Sequence, residues 1–333
     1  MIVNHLRIAI VIHMCRLEFQ YLLSARSQRI NPLSWVGIYT ANMLSYKPKD
    51  WFSFIFRFHK ADTVRALFPL MLGIAAYSGL IAYLELEFWQ LSKNDSISKI
   101  TIMHNMLGFV ISLLLVFRTN TAYDRWWEGR KQWGALANNV RNLALKLSAI
   151  LRDPSDRRFF RGWIPVYAYA LAAHLQKEET RVVLFEDADL DHSKHVPNQV
   201  AGLIIRKVTH LYQVSRISGD QLITINAELQ SFTDICGACE RIKNTPIPYS
   251  YSAFLKKFIF FYIMTLPFGY VFDLGYLVIP VVVFIFYVLA SLELIAEEIE
   301  EPFGTDTNDL PTYRMAENMQ EQVEDIFDAG GNR

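Results

Sequence analysis

Four apolar stretches limit what this chain can fold into more than any other feature. Ala66 to Leu84 (ALFPLMLGIAAYSGLIAYL) contains no charged residue and stops at Glu85 and Glu87. Ile100 to Phe117 carries only His104 and Asn105 near its start and stops at Arg118. Phe258 to Phe272 is shorter, but the stems of Lys256 and Lys257 extend it, because their ammonium groups can snorkel to an interface. Leu274 to Leu292 follows almost at once and is rich in Val, Phe and Tyr. A helix needs roughly 20 apolar residues to cross a bilayer. Backbone polar groups cannot be left unpaired in lipid, so such runs are read as helices. The expectation is an all-α membrane protein with four transmembrane helices. The last two form a hairpin within residues 254–292 that turns at Asp273-Leu274-Gly275.

The rest of the chain has a different character. Over 333 residues, 52% are hydrophobic, yet 33 Lys and Arg stand against 33 Asp and Glu. That is too apolar for a typical soluble protein and too charged for one wholly in lipid, so the average combines two kinds of segment. Balanced charge and the lack of a basic stripe with interleaved aromatics argue against nucleic acid as a partner. The three cysteines, Cys15, Cys236 and Cys239, build no disulfide framework and point to a reducing compartment. Cys236-Gly-Ala-Cys239 is a lone C-x-x-C pair, with no second pair at zinc spacing.

Lys and Arg set the orientation. Lys47, Lys49, Arg57, Lys60 and Arg65 precede the first span; Arg118, Arg125, Arg130, Lys131 and Arg141 follow the second; Lys243, Lys256 and Lys257 precede the third. These flanks are expected to be cytoplasmic, and both termini with them. Residues 1–42, with the short apolar run Ile8 to Met14 broken by His13, are expected to be an N-terminal extension, and Met43 is an alternative start.

Between the second and third spans, residues 118–253 read as a cytoplasmic helical domain. Trp133, Leu136, Val140, Leu143 and Leu147 recur at helical spacing, as do Trp163, Val166, Tyr167, Ala170 and Leu171. The polar stretch Glu178–Pro197 is expected to be a surface loop dividing two helical groups. Residues 293–333 form a C-terminal tail with an acidic helical stretch, Glu317–Asp328. There is no Gly-rich phosphate loop, no H-E-x-x-H and no nucleophile elbow, so no enzymatic activity is expected.

Function is most readable in the second span. Phe109, Leu113 and Phe117 lie at i, i+4 and i+8 and share one helix face, and Gly108 and Ser112 allow close helix approach beside it. Such a stripe can be ordinary bundle packing. In a ring-shaped oligomer it would form rings of apolar side chains around an axis, a constriction that gates by dewetting. An aromatic edge is slightly positive, which suits a partly dehydrated anion.

Phe117-Arg-Thr-Asn-Thr-Ala-Tyr-Asp-Arg-Trp-Trp-Glu-Gly-Arg130 resembles the segment that ends the pore helix in the bestrophin family, particularly its bacterial and plant members. Three further segments carry the resemblance in chain order: Trp51-Phe-Ser-Phe-Ile-Phe-Arg-Phe-His-Lys60, Thr245-Pro-Ile-Pro-Tyr-Ser-Tyr-Ser-Ala-Phe254 and Glu301-Pro-Phe-Gly-Thr-Asp-Thr-Asn-Asp-Leu-Pro311. It runs from about Met43 to about Pro311.

The resemblance implies a homopentameric ion channel in the cell inner membrane, with one axial pore lined by the second span and continued through the cytoplasmic helices. The family's neck positions fall on Phe109, Leu113 and Phe117. Its cytoplasmic constriction follows Arg216-Ile-Ser-Gly-Asp220 and falls near Gln221 or Leu222. The ions implied are monovalent, with anions such as chloride favoured; sodium-type cation selectivity is the alternative within the family. A non-conducting scaffold or sensor is the alternative outside it. Arg125, Trp126 and Trp127 are expected to anchor an interface, and His104 to face the pore entrance or to cap the helix. Animal members bind calcium after the fourth span. Asp306 and Asp309 match two of those ligand positions, while Thr305, Thr307 and Asn308 replace further acids. The other reading of Asp306 and Asp309 is that they cap a turn and the following helix, and no cofactor is then required.

Overall fold

The structure, a computed structural model, describes residues 63–88, 95–176, 190–191 and 193–329. The N-terminal extension, the segment Trp51–Lys60 and most of the stretch Glu178–Pro197 lie outside the described residues.

Eight α-helices carry the described chain, and no strand occurs among the described residues. They are α1 (Thr63–Tyr83), α2 (Asp95–Ile150), α3 (Pro154–Gln176), α4 (Val196–Gln213), α5 (Gly219–Asn244), α6 (Tyr249–Leu274), α7 (Val278–Glu300) and α8 (Thr312–Ala329). Three apolar helical stretches, Thr63–Phe88, Thr101–Ile150 and Tyr249–Glu300, are long and apolar enough to cross a membrane. The third of these is divided at Gly275, whose φ of 53° lies in the left-handed region that glycine enters without penalty. A single 3₁₀ turn, Gly275–Leu277, then leads into α7, which packs back on α6. The hairpin expected from Asp273-Leu274-Gly275 is present.

Helix α2 is the backbone of the molecule. Its 56 residues contain no proline, and at 1.5 Å per residue they extend about 84 Å, against a hydrocarbon core of ~30 Å. One unbroken helix therefore links the apolar layer to the polar one. The charges after Phe117 mark a change of surroundings and not a helix end. The end comes at Asp153-Pro154: a residue before proline is pushed out of the α region, and Asp153 Oδ1 accepts from the Ser155 amide at 2.8 Å to start α3.

Two apolar clusters divide the chain along α2. The first joins Leu67 and Ile74 of α1, Ile111 and Leu115 of α2, Ile259 and Ile263 of α6, and Val282 and Phe286 of α7. The second gathers Trp133, Leu136, Val140, Leu143 and Leu147 of α2 with Phe160, Tyr167 and Leu171 of α3, Ile204 of α4, Phe232 of α5 and Val323 of α8. The helical periodicity read in residues 133–171 is thus the buried face of two packed helices.

The fold corrects three boundaries. Helix α6 begins at Tyr249 instead of Phe258, and α7 continues past Leu292 to Glu300. The loop ends at His195, because Val196 starts α4 and takes Pro197 into its first turn, where a missing N–H costs nothing. The acidic tail helix does not stand apart. Arg157 donates to Phe327 O at 2.7 Å and Arg161 pairs with Asp328 at 2.6 Å, docking α8 on α3 of the same chain.

Candidate functional site: the exposed face of α2

The side chains of α2 sort by angle around its axis. Ile111, Leu115, Arg118 and Ala122 are all buried, on the side that meets α6 and α7. Phe109, Leu113 and Phe117 point the other way and are 70%, 45% and 56% exposed. Successive members of that stripe are four residues apart, so it winds only about 40° per step at 3.6 residues per turn. Gly108 lies beside it, where a Cβ would come within 2.8 Å of the Tyr262 hydroxyl of α6; Ser112 donates to Gly108 O.

His104 belongs to the packed side. It is 1% exposed, its Nε2 lies 2.8 Å from Thr265 Oγ1, and its ring sits 5.7 Å from that of Tyr262. Within the chain it ties α2 to α6.

Where the apolar run ends, α2 carries a set of charged contacts that the hydropathy pattern did not reveal. Arg118 is 1% exposed, and its Nη2 lies 2.7 Å from Glu300 Oε2, with Glu293 Oε2 at 3.6 Å from Nε. Glu300 Oε1 accepts from the Ile247 amide at 2.7 Å. Arg125 donates to three carbonyls: Glu300 O at 3.0 Å, Ile242 O at 2.7 Å and Thr245 O. Each lies at the C-terminal end of a helix, where carbonyls lack intrahelical partners and a cation meets the negative pole of the dipole. Arg125 thereby fastens the ends of α5 and α7 to α2. Trp126 Nε1 donates to Asn308 O at 3.0 Å and its ring stacks on Tyr123, while Trp127 stays exposed. The family-like segment after Phe117 is in this respect a set of internal clamps.

The loop these clamps hold, Glu301–Pro311, folds tightly. Phe303 is fully buried, and a Cβ on Gly129 of α2 would come within 3.1 Å of Phe303 Cζ and Pro302 Cγ. Asp309 is buried and its Oδ2 accepts from the Asp306 amide at 2.6 Å; Asp306 itself is exposed. A Cβ on Gly304 would lie 2.6 Å from that same oxygen, so any larger residue would displace the Asp309 carboxyl. Burial pushes the Asp309 carboxyl up to about 7, against the lowering effect of that amide.

At the start of α5, Ser218 Oγ accepts from the Gln221 amide and Gln221 Oε1 from the Ser218 amide, at 3.2 and 2.9 Å. This capping box folds the Gln221 side chain back onto its own helix end. Leu222 packs against the lower cluster. The side chain presented outward is Ile223, 74% exposed. Gln221 and Leu222 are thus both engaged within the chain, and the S-x-x-Q signature at 218–221 was the sequence signal for the capping box. Cys236 and Cys239 are buried on α5, and burial, with nearby negative charge from Glu240, pushes both thiols up to about 12. At neutral pH both are protonated.

Residues 42–325 match the family described as Bacterial/Fungal Bestrophin protein. The chain is 34% identical over 301 residues to the voltage-dependent anion channel-forming protein alr2987 of Nostoc sp. (strain PCC 7120), covering 85% of this chain and 94% of that one. It is 33% identical over 213 residues to the voltage-dependent anion channel-forming protein YneE of Escherichia coli K12, covering 62% and 70% respectively. Among solved structures, a bacterial bestrophin homolog from Klebsiella pneumoniae superposes with a TM-score of 0.68 at 26% identity, covering 78% of this chain and 97% of that one. The chain therefore belongs to the bacterial and fungal bestrophin family.

Proposed function

We infer that this chain forms a homopentameric channel for monovalent anions such as chloride, with α2 of each subunit facing a single axial pore. The observation that carries this reading is the apolar stripe Phe109, Leu113 and Phe117, left uncovered on the side of α2 opposite its packed face. Five copies of that stripe around an axis make a dry neck. The length of α2 supports one conduit running through lipid and cytoplasm, with Ile223 at the mouth of α5 as a second apolar ring. The relatives named as anion channel-forming support the choice of anions. In this reading α1, α2, α6 and α7 each cross the inner membrane and both termini are cytoplasmic.

The reading needs no calcium. Calcium takes about six to eight oxygens. In the Glu301–Pro311 turn the carbonyls of Glu301, Pro302, Gly304, Asp306 and Asn308 already accept from Gly304, Leu310, Gln176, Asp309 and Trp126. Asp309 adds one buried oxygen without a partner and Asp306 an exposed carboxylate, and burial raises the Asp309 carboxyl, which weakens it as a calcium ligand. We therefore read the turn as a structural clamp that needs no ion.

Reversal potentials of the purified protein in bilayers under asymmetric KCl test the selectivity. A reversal near the chloride equilibrium potential supports it, and one near the potassium potential assigns the cation alternative.

A further inference from the structure

Three metal-ligating side chains from three helices converge in a part of the chain that the channel reading leaves without a role. His174 lies in the last turn of α3, His195 is the cap residue of α4, and Glu240 lies near the end of α5. His174 Nε2 is 2.7 Å and His195 Nε2 is 2.6 Å from the same oxygen, Glu240 Oε1. The two imidazole rings are tilted by 52° with centroids 4.3 Å apart, so both aim one nitrogen at one point. One ligand atom from each residue lies within 4.8 Å of the others. All three side chains are about a third exposed, which leaves a path for an ion.

The chemistry of the set is selective. Burial disfavours the charge on Glu240, but hydrogen bonds from His195 and His174 outweigh it and hold the carboxyl below its usual range. The point therefore has a carboxylate and two imidazoles. Imidazole suits zinc and its neighbours in the transition series, whereas magnesium and calcium favour oxygen alone. Cys236 and Cys239 are buried, protonated and outside the set.

We propose that His174, His195 and Glu240 form a binding site for a divalent transition-metal ion of the zinc type, with two imidazole nitrogens and one carboxylate oxygen as its protein ligands. Zinc takes such ligands at about 2.0–2.2 Å and fills its fourth position with water. The two separations between histidine nitrogen and Glu240 oxygen need to open by less than about 1 Å to admit it. The site ties the C-terminal end of α3 to the N-terminal end of α4 and to α5, without depending on what the pore conducts.

Binding has a definite local consequence. His195 Nδ1 accepts from the Asn198 amide at 3.1 Å, which puts the hydrogen of a neutral ring on Nε2, facing Glu240. An ion that takes the Nε2 lone pair leaves that hydrogen on Nδ1, where it can no longer accept from Asn198. Metal binding and the α4 cap therefore compete for one imidazole.

The test uses untagged full-length protein in detergent, stripped with chelator and titrated with zinc chloride by calorimetry. One zinc per chain is expected, bound at least tenfold more weakly by Glu240→Gln and by His195→Asn, an exchange that keeps a capping side chain and removes the imidazole. Cobalt(II) in the same site is expected to show visible ligand-field bands without sulfur charge transfer. No saturable zinc binding by the wild-type chain would overturn the proposal. So would full binding by a folded H174Q/E240Q double variant, or a sulfur-to-cobalt band. X-ray absorption of zinc-loaded wild-type protein gives an answer independent of any variant: two imidazoles in the first shell support the site, and none contradicts it.

Discussion

Arg118 and Glu300, 182 positions apart, meet at 2.7 Å where the apolar part of α2 reaches the last turn of α7. Arg118 is almost fully buried, and two of its nitrogens have no hydrogen-bond partner among the described residues. A buried guanidinium in that position depends on Glu300 to offset its desolvation.

Removing Glu300 leaves the buried Arg118 charge with only the more distant Glu293 carboxylate at 3.6 Å, and breaking a buried pair typically costs about 3–5 kcal/mol. Glu300→Ala also strands the Ile247 amide. It is expected to lower the thermal unfolding midpoint of the purified protein far more than Glu297→Ala, whose pair with Lys256 is exposed and worth roughly 0–1 kcal/mol. Equal midpoints for the two variants would show that the pair does not stabilise the junction.

The start of α5 separates stability from conduction. Ser218→Ala deletes the cap and is expected to cost about 1 kcal/mol while leaving ion selectivity unchanged. Ile223→Ala removes an exposed side chain, so it is expected to leave stability within about 0.5 kcal/mol and to alter current amplitude or selectivity. Unfolding curves and bilayer currents on both variants check this; a Gln221→Ala variant that changes selectivity more than Ile223→Ala would return the constriction to Gln221.

Asp309 carries a pH dependence whose sign is fixed by its environment. Its folded-state carboxyl is raised to about 7 by burial, above an unfolded value of about 3.9. The stability this contributes is complete below about pH 4 and is lost as pH rises through about 7. Asp309→Asn keeps a side-chain acceptor for the Asp306 amide and removes the titration. The variant is expected to gain on wild type by about 2 kcal/mol between pH 5 and pH 8. A difference that is flat with pH, measured in chelator by unfolding midpoints, would mean that Asp309 does not titrate in this window. The same curves repeated with calcium are expected to superimpose.

Much of this architecture was legible in the residues. Apolar runs located four of the helices because lipid leaves no other arrangement for so many uncharged residues, and the Trp133 to Leu147 rhythm located the lower core on α2. Other features were not legible, for physical reasons. Hydropathy marks where surroundings change, whereas a helix ends only at a breaker, so α2 continues past Arg118 to Ile150 before Pro154. The position of His104 near the outer end of the span did not show that its ring packs against α6, where it meets Thr265 and Tyr262. His174, His195 and Glu240 lie on three separate segments, and only the packing of α3, α4 and α5 brings them together.

The central claim is that the Phe109, Leu113 and Phe117 face of α2 lines a conducting pore, and Leu113→Ala tests it most directly. Current through planar bilayers holding the wild-type or the variant protein is to be compared, with Phe284→Ala on the exposed face of α7 as a control. Widening the neck is expected to raise the current severalfold in Leu113→Ala, with Phe284→Ala matching wild type. No current from either the wild type or Leu113→Ala, in a protein that folds and inserts, would contradict the account and favour a non-conducting scaffold.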